Sequence, residues 1–160
     1  MKQLHMRALP LMLGVLGVIA AKETHASDPL DSASVQTLIE TRQQGFKKMG
    51  AAAKALRDEL KSSAPNDALL VQASHAIEAA AEAQTRWFPE GSGPESGVDT
   101  DALPYIWKNR EKFDSIAAQL RAETKKLVAA TSAHDLPALR TQFKVVGEVC
   151  SSCHRSFRAD

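Results

Sequence analysis

Asp135-Leu136-Pro137-Ala138-Leu139-Arg140-Thr141-Gln142-Phe143-Lys144-Val145-Val146-Gly147-Glu148-Val149-Cys150-Ser151-Ser152-Cys153-His154-Arg155-Ser156-Phe157-Arg158 is the stretch on which the fold turns. Leu139, Phe143, Val146, Cys150, Cys153 and Phe157 step by four, three, four, three and four. That is one apolar face of a helix. Asp135 can cap it, and Pro137 is tolerated in its first turn. The two cysteines therefore fall on the stripe that the helix buries.

Cys150-Ser151-Ser152-Cys153-His154 is also C-x-x-C-H, the attachment signature of c-type haem. At about 100° per residue, Cys153 lies about 60° to one side of Cys150 and His154 about 40° to the other. All three side chains leave one turn. Two thioether bonds can fix a porphyrin edge there while the imidazole reaches the iron. Other readings of the string have less support. A thioredoxin-like C-x-x-C belongs beside a βαβ pattern, which is missing here. A zinc site needs two more ligands, and the exported chain holds only His75 and His134 besides His154. Two inert buried cysteines would leave the adjacent histidine unexplained. Arg158, four residues past His154, shares its face and also complements the helix C-terminus.

Upstream, three more helical segments can be read. Asp31 or Ser32 caps the first, which runs to about Ser62 with a face of Val35, Leu38, Arg42, Phe46, Met49, Ala53, Leu56 and Leu60. Pro65 ends the connection, and Asn66 caps a second helix, Asp67 to about Phe88. Its inward face reads Leu70, Ala73, Ile77, Ala80, Gln84 and Trp87. Pro89 to Leu103, with Gly91, Gly93, Pro94 and Gly97, reads as a surface loop. Pro104 opens a third helix that runs to about Ala130. The expected fold is all-α, an antiparallel up-down-up-down four-helix bundle with covalently bound haem.

The rest of the 160 residues bounds the function. Twenty Lys and Arg against nineteen Asp and Glu give a net charge of +1, which argues against a nucleic-acid binder or a protein for anionic membranes. Lys2 and Arg7 precede an apolar run, Ala8 to Ala21, too short to span a bilayer and suited to a secretory signal. Residues 1–26 are read as a cleaved signal peptide, with cleavage after Ala26, and 27–160 as the bundle. The expected compartment is the periplasm, with no membrane attachment after cleavage.

The chain resembles the cytochrome c' family, the class II c-type cytochromes, over nearly all of the mature sequence. Arg42-Gln43-Gln44-Gly45-Phe46-Lys47-Lys48-Met49 is similar to the family's R-x-x-x-[LF]-x-x-[LM] segment. Phe88-Pro89-Glu90-Gly91-Ser92 is similar to its F-P-x-G-[ST] turn, and Pro104-Tyr105-Ile106-Trp107 to its P-x-I-W helix start. Val146 to Arg158 is similar to V-G-x-x-C-x-x-C-H-x-x-[FY]-R, the most specific of the four. The resemblance implies one haem c, with thioethers at Cys150 and Cys153 and His154 as axial iron ligand. It implies a haem pocket containing Arg42 near a propionate, Phe46 over the distal face of the iron and Arg158 on the proximal side. It further implies a periplasmic protein, often a homodimer, that binds NO and CO and takes part in electron transfer.

The sixth ligand decides which kind of haem protein this is. Phenylalanine cannot coordinate iron, so Phe46 at the distal face gives five-coordinate iron in an apolar site. Small neutral gases enter if the ring moves aside. The rival is Met49, one turn away, as sixth ligand of a low-spin electron carrier. Low-spin relatives carry their methionine where this chain has Phe46, and core packing also accounts for Met49. An enzyme such as a peroxidase wants a distal acid/base group, and the first helix offers Arg42 but no histidine, so no enzymatic role is expected. His75, His134, Lys47, Lys48, Lys125 and Lys126 read as solvated; the lysines would at most attract an acidic redox partner.

Overall fold

The computed structural model describes residues 31–159, so the proposed signal peptide lies outside the described residues. The helices are α1 (Ser32–Lys61), α2 (Asp67–Ala83), the one-turn α3 (Tyr105–Lys108), α4 (Arg110–Ser132) and α5 (Leu136–Phe157). Among the described residues there is no strand, and no helix is long and apolar enough to cross a membrane. The four long helices form the expected bundle: α2 packs on α1 and on α4, and α4 packs on α5.

The caps fall where the sequence puts them. Ser34 N donates to Asp31 Oδ1 at 2.8 Å, Leu69 N to Asn66 Oδ1 at 3.2 Å and Ala138 N to Asp135 Oδ1 at 2.9 Å. Each satisfies a first-turn amide that the helix leaves free. His134 closes the α4–α5 turn with a positive φ of 53°. It is exposed beside Asp67, and His75 is exposed beside Glu78, so both are solvated as expected. Lys47, Lys48, Lys125 and Lys126 are exposed too. At the far end of α1, Arg140 of α5 donates to Leu60 O through Nε and Nη2, at 3.2 and 3.1 Å.

Four expectations need correction. In the first turns of α1, Ile39 is buried beside Val35, and Leu38 is only half-buried. The second helix leaves α geometry at Ala83 and closes with a 3₁₀ turn, Gln84–Arg86. The third helix breaks at Asn109, whose φ of −132° and ψ of 49° are not helical. The loop after Phe88 is not simply surface: Ser92 is fully buried and Ala102 is buried.

One set of contacts explains the last three. The carbonyls of three consecutive residues each accept a bond from a different element. Arg42 Nη1 of α1 donates to Trp87 O at 3.2 Å. Arg110 Nη1 of α4 donates to Phe88 O at 2.6 Å, and Trp107 Nε1 of α3 to Pro89 O at 2.9 Å. Buried carbonyls need partners, and the break at Asn109 lets Trp107 and Arg110 both reach them. Periodicity cannot anticipate a helix broken to satisfy a distant loop.

The buried side chains form two groups. The larger is aliphatic and includes Leu56, Leu60, Leu70, Ile77, Leu120, Leu127, Leu139 and Val146. The smaller is aromatic: Trp87, Phe88, Phe113 and Phe157, with Ile106 and Ala102. Phe46, Ala80 and Ile116 are half-buried and pack against both.

Candidate functional site

The boundary between those two cores is where the attachment turn lies. Cys150 packs against the aliphatic group and Cys153 against the aromatic one. The sequence places both on a buried stripe; they are in fact half-buried, because the turn faces a seam between cores, not the middle of one. Both are free thiols. Burial raises the Cys150 thiol, and burial with the neighbouring Cys150 raises Cys153 to about 11. Both are therefore neutral near pH 7.

His154 leaves the same turn toward solvent. Partial burial and then the nearby Arg158 charge lower its pKa, so the neutral imidazole, the form that ligates metals, is favoured. Arg158 caps α5 through its backbone, its N–H donating to His154 O at 3.1 Å. Its Nε lies 3.5 Å from Asp101 Oδ2. The segment at 101–103 runs antiparallel to the end of α5, with Leu103 N on Phe157 O at 3.0 Å and Ala159 N on Asp101 O at 2.8 Å. The last turn is thus tied to the loop.

Arg42 is only 3% exposed. Its Nη1 and Nη2 each donate to Ser92 O at 3.1 Å, and Nη2 donates to Thr100 Oγ1 at 2.7 Å. Its Cζ sits 4.7 Å from the centroid of the Phe88 ring. A buried cation needs a partner, and the partners present are neutral carbonyls, a hydroxyl and a ring. Among the described residues no carboxylate lies within ion-pair distance of it; burial lowers its pKa, and the charge of Glu95, acting from farther off, partly opposes that. Sequence reasoning found Arg42 but missed Ser92, Thr100 and the carbonyl of Trp87, since loop residues 45 to 58 positions away carry no periodic signal.

Phe46 lies at the seam. Its ring meets Trp87 edge-on, with centroids 5.0 Å apart and planes at 78°, and Phe88 at 6.2 Å. Met49 is buried in the aliphatic group that Cys150 touches. The structure thus brings Cys150, Cys153 and Phe46 to one seam, sets Arg42 behind it under the loop, and leaves His154 and Arg158 on the open side of α5. Among the described residues, no cluster of three or more His, Cys, Asp or Glu is placed to hold a bare metal ion. Two neutral thiols and a neutral imidazole on one turn, a core divided at that turn and a buried cation with no carboxylate at bonding distance all fit a flat apolar macrocycle with acidic side arms.

Known proteins point the same way. A family model described as Cytochrome C' matches residues 37–158. Cytochrome c' of Rhodopseudomonas palustris is 37% identical over 127 residues, covering 76% of this chain and 82% of that protein. A cytochrome c' structure noted for an unusual ligand-controlled dimer dissociation superposes with a TM-score of 0.73 at 26% identity, covering 82% of this chain and 99% of the other. The nitrosyl complex of a variant of cytochrome c prime from Alcaligenes xylosoxidans gives 0.72 at 25% identity, covering 80% and 98%. The four-helix fold, the C-x-x-C-H turn at the seam and a match running from the first helix to Arg158 place this chain in the cytochrome c' family, whose cofactor is covalently bound c-type haem.

Proposed function

We propose that the chain is exported to the periplasm, loses residues 1–26, and works as a five-coordinate, high-spin haem protein that binds NO and CO and passes electrons, with no catalytic turnover. Bound haem supplies a redox-active iron able to take a small ligand. Cys150 and Cys153 would hold it through thioethers, and the His154 imidazole would bind the iron. Arg42 would meet a propionate, an anion at bonding distance that its buried charge does not otherwise have. Arg158 flanks the proximal side. The related nitrosyl complex supports NO as a ligand, and the ligand-controlled dimer supports a homodimer here.

The observation that carries the reading is Phe46. It stands at the seam that both cysteines face, its ring held among apolar and aromatic neighbours. It offers no donor to iron, and it disfavours water and polar anions. A second reading has one observation in its favour: Met49 is buried in the core group that Cys150 touches. Coordination by Met49 would make a low-spin electron carrier.

Visible spectra of the haem-loaded ferrous protein separate the two. A high-spin spectrum that shifts on adding CO, with Met49→Leu behaving the same, supports the five-coordinate site. A low-spin spectrum unresponsive to CO, becoming responsive in Met49→Leu, assigns the sixth position to Met49.

A further inference from the structure

Phe46 is preceded by Gly45, in the interior of α1. Glycine is unfavourable there relative to alanine. The surroundings supply the reason. A Cβ at position 45 would overlap Cη2 and Cζ2 of the Trp87 indole and lie 2.9 Å from Cζ3. The indole therefore lies flush against the backbone of α1, one residue from Phe46, and meets the Phe46 ring edge-on. Trp87 is itself held: its carbonyl is bonded by Arg42, and the next two carbonyls by Arg110 and Trp107.

We propose that Trp87, seated against Gly45, is the positioning residue that sets how readily small ligands pass Phe46. This rests on the reading that Phe46 covers the distal face. A ligand reaches the iron only when the Phe46 ring leaves its place. The contact with Trp87 exists in the covered arrangement and is lost as the ring swings. It therefore holds the ring closed and lowers the population open to a ligand. The pinned carbonyls fix the backbone of Trp87, and close packing of its buried indole against α1 keeps it from following the ring. Phe46 supplies the barrier, and Trp87 with Gly45 sets its height.

The test is CO association with the haem-loaded ferrous protein by flash photolysis, in the parent, Trp87→Leu, Gly45→Ala and the double variant. Losing one edge-to-face contact from the covered state predicts association about two- to tenfold faster in Trp87→Leu. Gly45→Ala displaces the indole and shifts the rate in the same direction. The double variant gains nothing over Trp87→Leu, because the two act through one contact. Thermal melting of the same four proteins gives a readout independent of ligand binding. Gly45→Ala lowers the midpoint in the parent, where the methyl meets the indole, and raises it in the Trp87→Leu background, where helix propensity acts alone. Association rates unchanged or slower in both single variants, with a CO-reactive parent, overturn the role of Trp87 and leave the five-coordinate site standing. A parent that does not take up CO overturns both.

Discussion

The aliphatic and aromatic ends of the bundle are built by different means. At the aliphatic end, Leu56, Ile77, Leu127 and Leu139 are fully buried between regular helices, and the connections are two short turns. At the aromatic end the helices stop early or break, and Trp87, Phe88, Phe113 and Phe157 pack around a loop held by Arg42, Arg110 and Trp107. The first end needs only hydrophobic faces at helical spacing. The second needs particular donors to reach particular carbonyls. The C-x-x-C-H turn lies between them, with one cysteine packed on each.

The largest expected effect falls on the seam. Cys150→Ala with Cys153→Ala removes covalent attachment altogether, so acidified organic solvent should extract the haem, whereas it stays with the parent after denaturation. Next comes the scaffold. Leu127→Ala should cost about 2–5 kcal/mol of stability in denaturant titrations, while the ferrous spectrum of the folded protein stays unchanged. A spectral change there would mean that the two ends are less separate than their packing implies.

Arg42→Met tests the aromatic end. It orphans the carbonyls of Trp87 and Ser92 and should cost about 1–3 kcal/mol. Proteolysis should then begin within residues 89–103. Arg42→Lys should rescue little, since a single ammonium cannot reproduce the fork that spans Trp87 O, Ser92 O and Thr100 Oγ1.

The smallest effect is electrostatic and local to the aliphatic half. Bonds from Lys126 and then Gln142 lower the pKa of Glu123. A carboxylate whose folded pKa lies below its unfolded value stabilises the fold above the unfolded pKa, near 4.5. That contribution is lost as pH falls through the folded value. Glu123→Gln should lower stability slightly at neutral pH, leave it nearly unchanged at low pH, and so flatten the acid limb of the stability curve.

How far the sequence could be read follows the same division. The caps at Asp31, Asn66 and Asp135, and most of the inward positions on the first, second and last helices, follow from spacing and cap chemistry, because those are local properties. Cys150, Cys153 and His154 came from a motif whose residues share one turn. The break at Asn109, the early end of α2 and the burial of Ser92 could not be read, because each depends on a bond to a residue far along the chain. The Trp87 contact could not be read from Gly45, because Gly50 of α1 and Gly147 of α5 are equally helical glycines with open space beside them. At Arg42 the expected partner is a haem propionate, whereas the protein partners, Trp87 O, Ser92 O and Thr100 Oγ1, lie far along the chain and carry no periodic signal.

We propose that Phe46, not a ligating side chain, stands over the iron. Electron paramagnetic resonance of the ferric haem-loaded protein tests it most directly, with Phe46→Met and Met49→Leu run beside the parent. The account predicts a high-spin parent, an unchanged high-spin Met49→Leu, and a low-spin Phe46→Met in which the new sulfur reaches the iron. A low-spin parent that turns high-spin in Met49→Leu would contradict it.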